Sequence, residues 1–318
     1  NDDTTFVGNM QGSNVLGSAE TFTGTVQDDF LFGRSGADTL LGAQGNDVIL
    51  GDSADALIDG GEGIDALFVN ANYAQADDTK LTGVEKVATT LLRNQANQDF
   101  SIDLSGQSEG FEITGGSLND TITGGAGNDV INGGLGSDTA LYVNDVVIGS
   151  IVDPMTMMST GFSVNAGAEG ADTLVNVEKV VAGAQTYLLV GNGGFATIQA
   201  AVDAAMGGEI IVVSSGTYTE TVTIDVGVTI LGANSSELAH IDGLENIDRI
   251  AESKLTGTFI VASNNITISG FEITGAADGP REQRAKHVDG AFGRLGQAAA
   301  QALQTAVVAV GQAVQPGV

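Results

Sequence analysis

Residues 115–132 read GGSLNDTITGGAGNDVIN. Nine letters are followed by nearly the same nine, each set headed by a glycine pair and carrying an aspartate in its sixth place. Outward from this stretch the period persists. From Gly106 the frames are GQSEGFEIT, GGSLNDTIT, GGAGNDVIN and GGLGSDTAL. Their sixth place holds Phe111, Asp120, Asp129 and Asp138, and their eighth holds Ile113, Ile122, Ile131 and Ala140. An earlier block starts at Gly24 with GTVQDDFLF, GRSGADTLL, GAQGNDVIL, GDSADALID and GGEGIDALF. Its sixth place is Asp29, Asp38, Asp47 and Asp65, with Ala56 as the exception, and its eighth is always a large aliphatic residue.

Each part of the frame has a physical job. Spaced glycines allow left-handed or closely approached backbone, so each glycine run predicts a tight turn. The triplet after the aspartate predicts a short strand with one side chain pointing inward. Turn and strand alternating every nine residues wind a flattened parallel coil, two frames to each eighteen-residue rung. One inward aliphatic per strand cannot build a core alone, so rungs must stack. Aspartates eighteen residues apart then lie above one another. Their mutual repulsion calls for a cation, and carboxylates with turn carbonyls form an all-oxygen set suited to Ca²⁺ rather than Mg²⁺.

These frames resemble the G-G-x-G-x-D-x-U-x nonapeptide of the RTX, or haemolysin-type, calcium-binding proteins, over about 24–68 and 106–141. The resemblance implies a parallel β-roll ordered by several calcium ions outside a bacterial cell, in a protein exported by a type I system. It also implies the ligands: Asp29, Asp47 and Asp65 on one edge of a first roll with Asp38 on the other, then Asp120 and Asp138 sharing an edge of a second roll with Asp129 opposite. Ala56 and Phe111 are expected to weaken the sites of Asp38 and Asp129. Gln27, Ala54 and Leu118 stand where the pattern has its fourth-place glycine, which unsettles those turns. LTGVEKVATT at 81–90 and EGADTLVNVEKVVAG at 169–183 resemble strand pairs that follow such arrays.

A different pattern follows. FATIQAAVDAAM at 195–206 spaces Phe195, Ile198, Val202 and Met206 on one helical face, and Gly207-Gly208 ends it. Strand-like runs come next at 209–213, 221–224, 228–231, 259–261, 266–268 and 271–274. The stretch from Phe195 to Ser235 resembles the start of pectin-lyase-like right-handed parallel β-helices, whose first rung is capped by a helix. Relatives of that kind cut or epimerise uronate polymers, but Asp242 and Glu272 have no basic cluster in the sequence and read as surface or turn residues, and His240 as structural. Residues 276–318 change character, with 3 acidic and 4 basic residues, and read as a helical or disordered tail.

The expected fold class is therefore all-β: a calcium-binding roll region over 1–185, the beginning of a helix-capped parallel β-helix over 186–275, and an atypical tail over 276–318. With 40 acidic against 11 basic residues and a net charge of −29, nucleic acid and anionic lipid would be repelled and are poor partners. No apolar run is long enough to span a membrane, and the chain has no cysteine, so thiolate metal sites and disulfides are impossible. The start at Asn1-Asp2-Asp3 reads as a fragment or processed product. The functional expectation is a secreted calcium-binding structural or adhesive module, with cell-surface or matrix polysaccharide as a further partner. The alternative is the first part of a polysaccharide lyase or C5-epimerase. No residue of the chain is expected to be catalytic.

Overall fold

The structure is a computed structural model that describes residues 10–12, 19–89, 98–153, 155, 159–233, 253–274, 283–284, 288–289 and 306–307. Its strands are mostly parallel and the one α-helix among the described residues is short, so the fold is all-β as expected. No described helix is long and apolar enough to cross a membrane. The chain divides into two compact units, one of residues 1–146 with 164–177 and one of residues 147–163 with 178–318.

In the first unit each nine-residue frame supplies one strand of three or four residues. Strands Phe30–Phe32, Val48–Gly51, Ala66–Val69, Lys86–Thr89, Glu112–Thr114, Val130–Asn132 and Ala171–Val175 pair in parallel in that order. Register is kept by the eighth-place aliphatic: Leu31 faces Ile49, Ile49 faces Leu67, and the column continues through Val87, Ile113 and Ile131 to Leu174. Every member of that column is at most 1% exposed. The opposite wall is in two pieces. Thr21–Thr23, Thr39–Leu41, Leu57–Asp59 and Leu81–Thr82 form one, and Tyr73–Ala74, Ser101–Asp103, Thr121–Thr123 and Thr139–Tyr142 the other.

The two repeat blocks are therefore one roll along this sheet and not two. Segments 81–89 and 101–114 continue the stack between them, because Val87 sits in register with both Leu67 and Ile113. A one-residue slip would turn the whole column outward, so this single apolar position fixes the pairing of every rung.

The second unit uses wider rungs. Gln185–Val190, Ile210–Val213, Thr229–Gly232 and Thr267–Ser269 pair in parallel, as do Gly216–Ile224, Ser253–Val261 and Phe271–Thr274. Between the two sheets lie Val190, Ile211, Val222, Ile230, Leu255 and Phe259, with Phe259 meeting Phe271 edge to face at 5.4 Å. The expected helix is present but covers only Ile198–Ala204. Thr197 caps it by accepting Ala200 N–H at 3.0 Å, and Glu220 accepts the N–H groups of Ile198 and Gln199 at 2.9 and 3.0 Å. Ala205 is already extended, which leaves Met206 92% exposed instead of on the buried face. Strands Gly216–Ile224 and Ser253–Val261 begin well before the apolar runs that announced them: GTYTE opens the first with only Tyr218 and Glu220 half-buried, and SKLT opens the second with buried Ser253 and Leu255 alternating with exposed Lys254 and Thr256.

Replacing a member of the inward column should cost about 2–5 kcal/mol through lost burial and the cavity left behind. Ile49→Ala is thus expected to lower the denaturant midpoint of the calcium-loaded roll markedly. Val26→Ala, at a side chain 73% exposed, should leave it within about 0.5 kcal/mol.

Candidate metal centre

Successive rungs of the first unit are joined by carboxylates as well as by strands. Asp47 Oδ1 accepts the N–H of Asp29 at 2.7 Å, and Asp65 Oδ1 accepts that of Asp47 at 2.6 Å. In the second block Asp138 Oδ1 takes Asp120 N–H at 2.7 Å, Asp129 Oδ1 takes Phe111 N–H at 2.8 Å, and Asp120 Oδ1 takes Phe100 N–H at 2.7 Å. Asp38 Oδ1 accepts Glu20 N–H at 2.8 Å. The sixth-place carboxylate thus reaches one rung back along the stack. The fifth place reaches the other way, as Asn46 Oδ1 accepts Ile64 N–H and Asn119 Oδ1 accepts Ser137 N–H. An Asn-Asp pair ties its turn to both neighbours.

What remains is the second carboxylate oxygen, and here the turns fall into two kinds. In frames headed by Gly33, Gly42, Gly60 and Gly124, Oδ2 of Asp38, Asp47, Asp65 and Asp129 is buried with no hydrogen-bond partner. In frames headed by Gly24, Gly51 and Gly115 the same oxygen is satisfied within its own turn: Asp29 Oδ2 accepts Thr25 N–H, Asp55 Oδ2 accepts Asp52 N–H, and Asp120 Oδ2 accepts Gly116 N–H. The second kind are the frames where Gln27, Ala54 and Leu118 replace the fourth-place glycine.

Stacking accounts for that glycine. A Cβ on Gly45 would lie 2.6 Å from the Gln27 carbonyl oxygen, and one on Gly136 would lie 2.3 Å from that of Leu118. Fourth-place side chains are excluded by the turn one rung earlier, so Gln27 and Leu118 are the turns against which glycine must pack. In the open turns the second place is left-handed too, at φ 70° for Arg34, 83° for Ala43 and 100° for Gly61.

The first-place glycine packs directly against the Oδ2 atom of its own turn and a carbonyl of the next rung, in open and self-satisfied turns alike. A Cβ on Gly42 would fall 2.2 Å from Gly60 O and 2.3 Å from Asp47 Oδ2; for Gly60 the corresponding distances are 1.9 Å to Gly83 O and 2.7 Å to Asp65 Oδ2. Each is a point bounded by a carboxylate and a carbonyl oxygen of the next rung. Among the described residues no three His, Cys, Asp or Glu side chains gather as a metal cluster, so backbone carbonyls would have to complete any coordination sphere. An all-oxygen set of mixed carboxylate and carbonyl type, with an acceptor that nothing donates to, fits Ca²⁺.

The electrostatics agree. Burial pushes the Asp65 carboxyl up to about 6, with Asp47, Glu85 and Asp59 adding like charge. Burial likewise raises Asp129 to about 7, aided by Asp172, and Asp55 to about 7, aided by Asp52 and Asp38. Asp47 and Asp120 are raised for the same first reason. Carboxylates in this state need a proton or a cation.

All seven aspartates named from the sequence are buried on the two turn-bearing edges, and three further carboxylates join them. Asp55, one place early in its frame, fills the position that Ala56 seemed to leave empty and accepts the backbone N–H of Asp38. Glu85 accepts Asp65 N–H at 2.7 Å, and Asp172 accepts Asp129 N–H at 2.8 Å while Tyr142 Oη donates to its other oxygen. Glu85 and Asp172 lie in the two segments read as strand pairs, whose V-E-K and A-D-T contexts held the only available signal. Phe111 contributes its N–H to the ladder but no carboxylate.

The family model described as RTX calcium-binding nonapeptide repeat (4 copies) matches residues 17–49, 32–67 and 112–140. No curated protein and no solved structure matches the chain. The chain carries calcium-binding RTX repeats, and their turns are those described above.

Gly42→Ala places a methyl group against both Gly60 O and Asp47 Oδ2, an overpacking that costs roughly 1–3 kcal/mol. It should weaken calcium binding measured by titration calorimetry. A second test uses acid. Because Asp65 and Asp129 hold their protons to higher pH when folded than the ordinary carboxyl value of 3.8, protonation stabilises the metal-free fold. That stability is fully present below about pH 4 and lost as pH rises through 6 to 7. In chelator, the β structure read by circular dichroism should be greater at pH 5 than at pH 8, and calcium binding near pH 6 should release protons.

Proposed function

We propose that this chain is an extracellular bacterial structural or adhesive module whose roll folds when calcium is available. Asp38, Asp47, Asp65 and Asp129 act as principal ligands through Oδ2, with Asp138 in the same ladder. Asp29 and Asp120 join once their own turns release them. The observation that carries the reading is the row of buried carboxylate oxygens without donors. A bound divalent ion supplies the positive charge that these oxygens lack.

The chain's residues explain a switch. Without counter-charge the stacked carboxylates repel, and the glycine turns lose much conformational freedom on ordering, so the coil state is favoured. Extracellular calcium modules bind at about 10⁻⁴–10⁻³ M, far above cytosolic calcium. The chain would stay threadable for a type I exporter and lock outside, presenting its surface to cell-surface or matrix polysaccharide. Stability then rises with the logarithm of calcium concentration, because only the folded state binds.

Among the described residues, the polysaccharide-cleaving alternative gains none from the second unit. Glu272 is ion-paired to Lys254 at 2.9 Å, and Asp242 and His240 lie outside the described residues.

Circular dichroism of the full chain should show a cooperative gain of β structure near millimolar calcium, reversed by EDTA. Magnesium should not substitute. A chain equally folded in EDTA at pH 8 would defeat the proposal.

A further inference from the structure

The last open turn of the first block poses a question that the repeat cannot answer. Asp65 is fully buried and its Oδ2 has no partner, yet the rung beyond it is not a nonapeptide. The family match ends at residue 67. What meets Asp65 from the next rung is the segment Leu81–Lys86, of sequence LTGVEK.

That segment reproduces the missing half-turn by other means. Gly60 N donates to Thr82 O at 2.9 Å, and Asp65 O receives Lys86 N–H at 3.0 Å, so the backbone continues the stack. Gly83 stands in the left-handed region at φ 58°, as the second-place residues of the open turns do. Its carbonyl oxygen lies 1.9 Å from the point where a Cβ on Gly60 would sit, with Asp65 Oδ2 2.7 Å from the same point. Glu85 takes the place of the next sixth-place aspartate and accepts Asp65 N–H. The nearest lysine of the segment does not neutralise the group: Lys86 Nζ is 2.8 Å from Glu112. Asp65 Oδ2 and the Gly83 carbonyl thus border one point, the half-buried Glu85 joins the ladder on the adjacent rung through Asp65 N–H, and nothing donates to Asp65 Oδ2.

We infer that residues 81–86 complete a further divalent-cation site, in which Asp65 Oδ2 and Gly83 O are ligands and Glu85 supplies the second carboxylate. The ion is Ca²⁺, for the same reason of hard oxygen donors in a site too irregular for a small octahedral ion. This rests on the calcium reading above and adds a site half of which lies outside any repeat. It gives the roll a joint: the cation binds the first block to the strands that carry the stack toward the second.

The test is stoichiometry on the full chain by titration calorimetry with CaCl₂, for the parent, Glu85→Gln, Asp65→Asn and the double variant. Glu85→Gln keeps an acceptor for Asp65 N–H and so preserves the ladder. Each single variant and the double should bind one calcium fewer than the parent, with the remaining sites within about twofold of their parental affinity. Asp203→Asn, on the helix of the other unit, should bind the parental number. An unchanged count in Glu85→Gln overturns the site while leaving the calcium reading intact. Loss of two ions in the double variant, or of all ions in Glu85→Gln, also overturns it, since Glu85 would then serve a different ion or brace the whole roll. A parent that binds no calcium defeats both.

Discussion

A carboxylate with one oxygen spoken for and the other left bare is the element on which the first unit depends. The Oδ1 atoms of Asp38, Asp47, Asp65 and Asp129 are committed to backbone N–H groups of the adjacent rung, which fixes where each side chain points. The Oδ2 atoms are then held in a dry setting with nothing to neutralise them. Burying an ionised group without a partner is expensive enough to forbid the arrangement unless something arrives from solvent. The polypeptide alone leaves these charges unbalanced, and that imbalance is the basis of the proposed calcium switch.

Glycine and aspartate divide this work in a way that shows most clearly where the pattern lapses. Turns lacking the fourth-place glycine fold their own N–H onto Oδ2, as at Asp29, Asp55 and Asp120, and become self-sufficient. Turns that keep it are pulled into a left-handed path that takes that N–H away. The glycine is demanded by the carbonyl of the preceding rung at Gly45, Gly63 and Gly127, so the turns that stack this closely are also those whose Oδ2 has no donor. Packing and metal affinity are two results of one steric fact.

Much of this was legible from nine-residue spacing alone. The inward column, the two edges and the buried aspartates all follow from a period of nine, because each strand has one apolar place and each turn one acid. Three things were not. Asp55 escaped because its turn is one residue short, so counting places misses a carboxylate that space retains. Glu85 escaped because a glutamate after a valine in TGVEK carries no glycine signature, although its extra methylene still reaches the same N–H. The unity of the two blocks escaped because the linking rungs, at Val87 and Phe111, keep the aliphatic register while dropping the repeat's chemistry. In the second unit, helix and strand existence were readable, but Met206 and the early halves of the long strands were not, since Tyr218 and Leu255 stand there as single apolar residues among polar ones.

The column from Leu31 to Leu174 has a mechanical meaning. Each rung touches only the rungs above and below, so the roll behaves as a one-dimensional stack. Tension applied at the ends of the chain does not load all of its sheet bonds together; it lifts one coil at a time, as thread leaves a bobbin. A tether built this way yields gradually, lengthening by one rung per event, with longer steps where Val87, Ile113 and Leu174 join the column, and rewinds from whichever coils are still in place.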